Sequence, residues 1–261
     1  MNITLRPIAS VETPAEDSLL TFVCDILKHN LSFTEETTRL EVWDAVAAEL
    51  QQAELHMIVN NHVSKAVCLD FMTRHAKQNW PAATAHSLRN ELRIVNSAAN
   101  DTYGWSRCYD EMTDDDEMTD AGAIVNAADP DALVIYSGLN HDHKLNPITA
   151  KLPLSETDPR FFDLADFVYA DKIVFELHTY DNWMTKCTFF QSELCSRGFH
   201  ALEMSAESTS RNIASVFFSE LGFAQNGTDY LGVYAQCLKD FTGDKRIGAA
   251  SRIEGPIGWL Q

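Results

Sequence analysis

The sequence is short of basic residues. Its 20 Lys and Arg stand against 38 Asp and Glu, a formal net charge of −18. Such a surface repels phosphate backbones and anionic lipid, which puts nucleic-acid and membrane-surface binding at the bottom of the list of functions. Long hydrophobic runs are also missing. No stretch approaches the roughly 18 apolar residues of a spanning helix, so membrane insertion is not expected. The opening residues, Met1–Ser10, lack the apolar core of a signal peptide. The six cysteines, Cys24, Cys68, Cys108, Cys187, Cys195 and Cys237, contain no C-x-x-C pair and no His at zinc-finger spacing, which argues against a structural zinc site. There is no internal repeat and no Gly/Ser-rich or Pro-rich linker, so residues 1–261 read as one domain.

With 45% hydrophobic residues, the chain can bury a sizeable core. Short β-branched or aromatic runs alternate with longer segments of helical periodicity, the pattern of βα units around a parallel sheet. Strands are expected at Ile3–Ile8, His56–Asn61, Thr84–Arg89, Ala132–Gly138, Lys172–His178 and Ser215–Leu221. Helices are expected over Thr37–Glu54, Val63–Gln78, Trp183–Arg197 and Tyr230–Phe241. The acidic run Asp114–Glu117 lacks the spaced pattern of a calcium loop and reads as a solvated loop or helix N-terminus. Cys187 and Cys195, at i and i+8 on one expected helix, read as buried or loosely paired thiols rather than ligands.

In parallel α/β barrels, catalytic groups lie where strands end. The apolar runs here close on such groups: Arg6; Asn60, Asn61 and His62; Arg89, Asn90 and Glu91; His178 and Tyr180; Ser219 and Glu220. Two facing carboxyl groups among Arg, Asn, His and Tyr are what glycosidic cleavage requires, one protonated to donate and one ionised to attack. Any α/β sequence this rich in acids places some at strand ends, so spacing alone points only weakly to that chemistry.

The residues around these positions resemble glycoside hydrolase family 5, in particular its fungal and plant branch. Ser87–Arg93 matches that branch's L-R-N-E-L-R acid/base motif without a gap. Val59–Lys65 resembles L-D-N-H-V-S-K, with Asn60 in place of the Asp. Ala128–Leu139 resembles a segment in which A-N-P-D leads through a hydrophobic strand to S-G-L, and Lys172–Tyr180 resembles K-L-V-F-E-x-H-x-Y. Phe218-Ser219-Glu220-Leu221-Gly222 is similar to the nucleophile motif F-S-E-F-G, followed by Gly227-Thr228 and Tyr230-Leu231-Gly232.

The resemblance implies a (β/α)8 TIM barrel working without metal or organic cofactor on a carbohydrate substrate, as a monomer. Carried over by position, it makes Glu91 the general acid/base and Glu220 the nucleophile of a retaining displacement. Asn90 would bind the sugar 2-hydroxyl, and Arg6, on the family's second strand, would keep the nucleophile ionised. Tyr180 would hydrogen-bond Glu220, and His62 and His178 would line the cleft. Trp183 is a candidate sugar-stacking platform, although an ordinary buried Trp fits the sequence equally.

The chain departs from the family at both ends. The first βα unit is not recognisable before Arg6, and Thr242–Gln261 carries only Trp259 where a strand-eight tryptophan is expected. About six of eight barrel units are matched, so an incomplete barrel is expected, with an N-terminal piece missing. Relatives of this type are exported, and four N-x-[ST] triplets, at Asn2, Asn30, Asn100 and Asn226, agree with export. Two rival readings remain at this point. One is a carbohydrate-binding or inactive barrel remnant. The other is an N-acetyltransferase, because Asn212–Phe223 also fits a helical motif of those enzymes. The hydrolase needs Ser215–Leu221 to be a strand, and the acetyltransferase needs it to be a helix.

Overall fold

The computed structural model describes residues 21–24, 44, 47, 48, 50–52, 56–61, 67–88, 118–153, 159, 161–198, 210–222, 228 and 231–245. Six strands run through them: β1 (Thr21–Cys24), β2 (Met57–Asn61), β3 (Ala83–Ser87), β4 (Leu133–Tyr136), β5 (Ile173–Thr179) and β6 (Ser215–Leu221). They form one sheet in the order β1-β2-β3-β4-β5-β6, with every neighbouring pair parallel. A doubly wound sheet reverses its strand order at a switch point. This sheet never reverses, so it winds in one direction, as a barrel does. Among the described residues, no pairing joins β6 back to β1.

Helices α1 (Val67–Asn79), α2 (Met118–Ala128), α5 (Cys187–Ser196) and α6 (Val233–Lys245) cover one face of the sheet, and the single turns α3 (Leu139–Asp142) and α4 (Asn146–Thr149) follow β4. Alternation along the strands decides which residues meet them. Tyr136, Phe175, Leu177, Val216 and Phe218 pack against Ala121 and Val125 of α2, Phe190 and Leu194 of α5, and Tyr234, Leu238 and Phe241 of α6. Met57 and Val59 pack with Met72, Ala76 and Trp80 of the α1 region and with Ala47 and Leu50. Removing a fully buried ring such as Phe218 costs about 3–5 kcal/mol. The intervening residues, Ile58, Ala85, Ile135, Val174 and Phe217, form a second layer on the opposite, inner face.

Five of the expected strands and three of the expected helices, Val63–Gln78, Trp183–Arg197 and Tyr230–Phe241, fall largely where residues are described, whereas Thr37–Glu54 is described only at 44, 47, 48 and 50–52, which are helical. Ser215–Leu221 is a strand over the whole expected range. That removes the acetyltransferase reading, which requires a helix there. Among the described residues the strand beside β2 is Thr21–Cys24, a segment for which no strand is expected from the sequence. Ile3–Ile8 and Asp114–Glu117 lie outside the described residues. Helix α2 was also unassigned. Small residues dominate it, and at Gly122 an added Cβ would collide with the Tyr136 hydroxyl and approach the Tyr169 hydroxyl to 2.5 Å. Those two hydroxyls are hydrogen-bonded at 3.1 Å, so the glycine lets the helix close over a tyrosine pair.

The cysteine expectation needs correction. Cys187 is bonded to Cys237, joining α5 to α6. Residues eight apart on a helix are about 12 Å apart along its axis, so Cys195 cannot be the partner of Cys187.

Candidate active site

Above the inner apolar layer, the C-terminal ends of the strands carry polar side chains. Asn60 of β2, Ser87 of β3, Ser137 just after β4, and Glu176 and His178 of β5 are all buried. Each stands two residues beyond an inner-layer position, Ile58, Ala85, Ile135 or Val174, or four beyond for His178, so the strand period of two explains why they share one face.

Glu176 is the hub of this layer. Its Oε1 accepts hydrogen bonds from Ser87 Oγ at 2.8 Å and from Ser137 Oγ at 2.7 Å. Three adjacent strands are thereby tied together through one buried carboxyl. Its Oε2 is buried with no hydrogen-bond partner among the described residues. Neither Glu176 nor the two serines were assigned a role from the sequence. The signal that could have found them is the two-residue spacing from Glu176 to His178 and on to Tyr180.

Glu220 reaches the same face through a register irregularity. Leu177 pairs with Phe218, but His178 pairs with Glu220, which leaves Ser219 as an extra residue on β6. Without that shift, Glu220 would share the face of Phe218 and point into the helical layer. With it, Glu220 Oε2 accepts a hydrogen bond from the Tyr180 hydroxyl at 2.7 Å and lies 3.9 Å from His178 Nδ1. The other ring nitrogen of His178, Nε2, faces Asp142 Oδ2 at 3.6 Å. Asp142 is a further residue that the sequence reading missed.

The backbone around Tyr180 is anchored on both sides. The Tyr234 hydroxyl donates to the Thr179 carbonyl at 2.6 Å, and Thr179 Oγ1 donates to Asp181 Oδ2 at 2.9 Å. Arg197 clamps Asp181 with Nη1 and Nη2 at 2.7 and 3.0 Å, the paired geometry that makes guanidinium–carboxylate contacts strong. Burial alone would raise the Asp181 pKa, but the hydrogen bonds and charge of Arg197, with the Thr179 hydroxyl, hold the carboxyl below its usual range. Burial raises the Tyr234 phenol to about 12, so it stays a donor. His143, beside Asp142, is held below the ordinary histidine range by burial and then by the Arg197 charge.

Of the residues singled out in the sequence, His178, Tyr180 and Glu220 therefore come together. Trp183 stands in the loop after β5, 69% exposed and not buried. Arg6, His62, Asn90 and Glu91 lie outside the described residues. Among the described residues, no three His, Cys, Asp or Glu side chains converge as metal ligands, and no helix is long and apolar enough to cross a membrane.

No family model matches the chain. A glycosyl hydrolase 5 family protein from Chamaecyparis obtusa is 27% identical, with 87% of this chain and 42% of that protein covered. The chain thus spans less than half the length of this relative. Among solved structures, the catalytic domain of the major endoglucanase from Xanthomonas campestris pv. campestris superposes with a TM-score of 0.52 at 15% identity, covering 84% of this chain and 66% of that one. The catalytic domain of a mannanase from Streptomyces sp. SirexAA-E gives a TM-score of 0.54 at 11% identity, covering 90% and 66%. At such identities these two likenesses speak for the fold alone. The chain is thus similar in sequence to a glycosyl hydrolase 5 family protein, and its single-direction sheet has the fold of an incomplete (β/α)8 barrel.

Proposed function

We propose that the protein is a retaining glycoside hydrolase that cleaves a β-linked poly- or oligosaccharide by double displacement. The hydrogen bond from Tyr180 to Glu220, made on the inner face at the C-terminal end of the sheet, carries this reading. A carboxylate meant to attack an anomeric carbon needs donors that orient it, and Tyr180 supplies one.

In the first step, Glu220 attacks the anomeric carbon while Glu91 gives its proton to the leaving glycosidic oxygen, so the C–O bond breaks as the glycosyl ester forms. In the second, Glu91 takes a proton from water, which attacks the same carbon and frees Glu220. Retention requires the two carboxyl groups roughly 5–5.5 Å apart. Asn90 binds the 2-hydroxyl, Arg6 balances the charge of Glu220, His62 and His178 line the cleft, and the exposed Trp183 offers a face to a pyranose ring. The reaction needs no cofactor, and the chain acts as a monomer.

The Cys187–Cys237 disulfide favours an oxidising compartment, and with it export.

The deciding experiment is Glu220→Gln assayed on soluble β-glucan and β-mannan. Turnover should vanish while the melting temperature holds, and wild-type turnover in that variant removes the proposal.

A further inference from the structure

We infer that Asp142 is a positioning residue for the nucleophile, its carboxyl group facing the His178 ring on the Nε2 side by charge and contact so that Nδ1 stays turned toward Glu220. This rests on the assignment of Glu220 as the nucleophile. The geometry is a chain of three side chains drawn from three elements, α3, β5 and β6. Asp142 Oδ2 lies 3.6 Å from His178 Nε2, with both side chains fully buried. His178 Nδ1 lies 3.9 Å from Glu220 Oε2, where the Glu220 side chain keeps 12% of its exposure. A carboxyl group buried this completely is costly unless an ionisable or hydrogen-bonding group faces it. The only imidazole in contact with the proposed nucleophile among the described residues is the one it faces.

The backbone that delivers Asp142 is itself unusual. His141 and Asp142 have φ of 57° and 59°, two consecutive non-glycine residues in the left-handed region. That conformation is sparsely populated and persists where the surroundings force it. Gly138 is what allows it here. A Cβ at this position would lie 3.3 Å from Asp142 Cα, 3.2 Å from the Lys144 carbonyl and 3.3 Å from the Glu176 carbonyl. The turn therefore sits directly on the β5 backbone two residues before His178, so close that a side chain at 138 would have to push its neighbours back by a few tenths of an ångström. A turn needed only to link β4 to the next helix has no reason to bring a carboxyl group under this ring.

The test uses two variants that tolerate the left-handed backbone. Asn keeps the shape of Asp142 without its charge, and Gly removes the side chain. In the 261-residue protein, Asp142→Gly is expected to lower kcat on an aryl β-cellobioside or soluble β-glucan by about tenfold to a hundredfold, the scale seen when the outer partner of a metal-bound histidine is removed. KM should stay within about twofold, because no substrate contact is lost. Asp142→Asn should recover part of kcat. In parallel, the 15N resonances of the His178 imidazole should move in Asp142→Gly at an unchanged melting temperature, a signature that loss of stability alone would not produce.

Wild-type turnover in Glu220→Gln overturns the hydrolase reading. An inactive Glu220→Gln beside Asp142→Gly at wild-type kcat overturns this inference alone. A kcat loss that only follows the folded fraction also overturns it. If the unmodified protein has no turnover on either probe, the imidazole resonances decide: unchanged values in Asp142→Gly overturn the inference, and shifted ones support it.

Discussion

The Tyr180 hydroxyl donates a 2.7 Å hydrogen bond to Glu220 Oε2, between the end of β5 and a strand whose register has slipped by one residue. Hydrogen bonds to charged groups are worth about 1.5–3 kcal/mol. Replacing Tyr180 with Phe should therefore lower kcat by about tenfold to a hundredfold with little change in KM. Steady-state kinetics of Tyr180→Phe measure this directly, and an unchanged kcat would separate the phenol from the chemistry.

Glu176 should matter for folding more than for turnover. Glu176→Leu removes the acceptor shared by Ser87 and Ser137 and strands the Ser87 hydroxyl in the interior, at a cost of about 2–4 kcal/mol. Urea titration of Glu176→Leu, Ser87→Ala and the double variant should show a coupling of about 1 kcal/mol, since the second change costs less once the first is made. Strict additivity would remove Glu176 as the hub of the three strands.

His86 makes stability depend on pH. Burial pulls it down to about 4, with the Asp129 charge opposing only in part, whereas an unfolded histidine titrates near 6.5. The unfolded chain therefore takes up the proton first as pH falls. Stability present above about 6.5 is lost progressively down to about 4 and then levels off, a loss on the order of 3 kcal/mol. Chemical denaturation between pH 7 and 4 should show this slope, and His86→Gln should flatten it.

Reduction should weaken the α5–α6 pair. The Cys187–Cys237 bond closes a loop of 50 residues, for which the chain-entropy estimate is about 4 kcal/mol. Thermal melts with and without reductant should differ by several degrees, with no such difference in Cys187→Ser.

Much of the sheet was legible because its signals are local. Ser215–Leu221 is an apolar run bounded by polar residues, and β3, β4 and β5 fall within two residues of the expected limits for the same reason. Thr21–Cys24 was missed because four residues carry too little periodicity to stand out, and α2 because its small residues are chosen by the tyrosines they pack against. The site was legible where a motif spelled it out, at His178, Tyr180 and Glu220, and illegible where contact alone defines it, at Asp142 and Glu176.

The sequence by itself determined the alternation of strands and helices, the strand ends that bear polar groups and the resemblance to family 5, because each depends on spacing along the chain. Only the tertiary structure decided that Glu220 faces inward, that Asp142 lies beneath His178 and that Cys187 joins Cys237. These relationships depend on a one-residue register slip, on a backbone approach that Gly138 permits, and on helix packing. All three are distances between segments far apart in the chain, which local pattern does not encode.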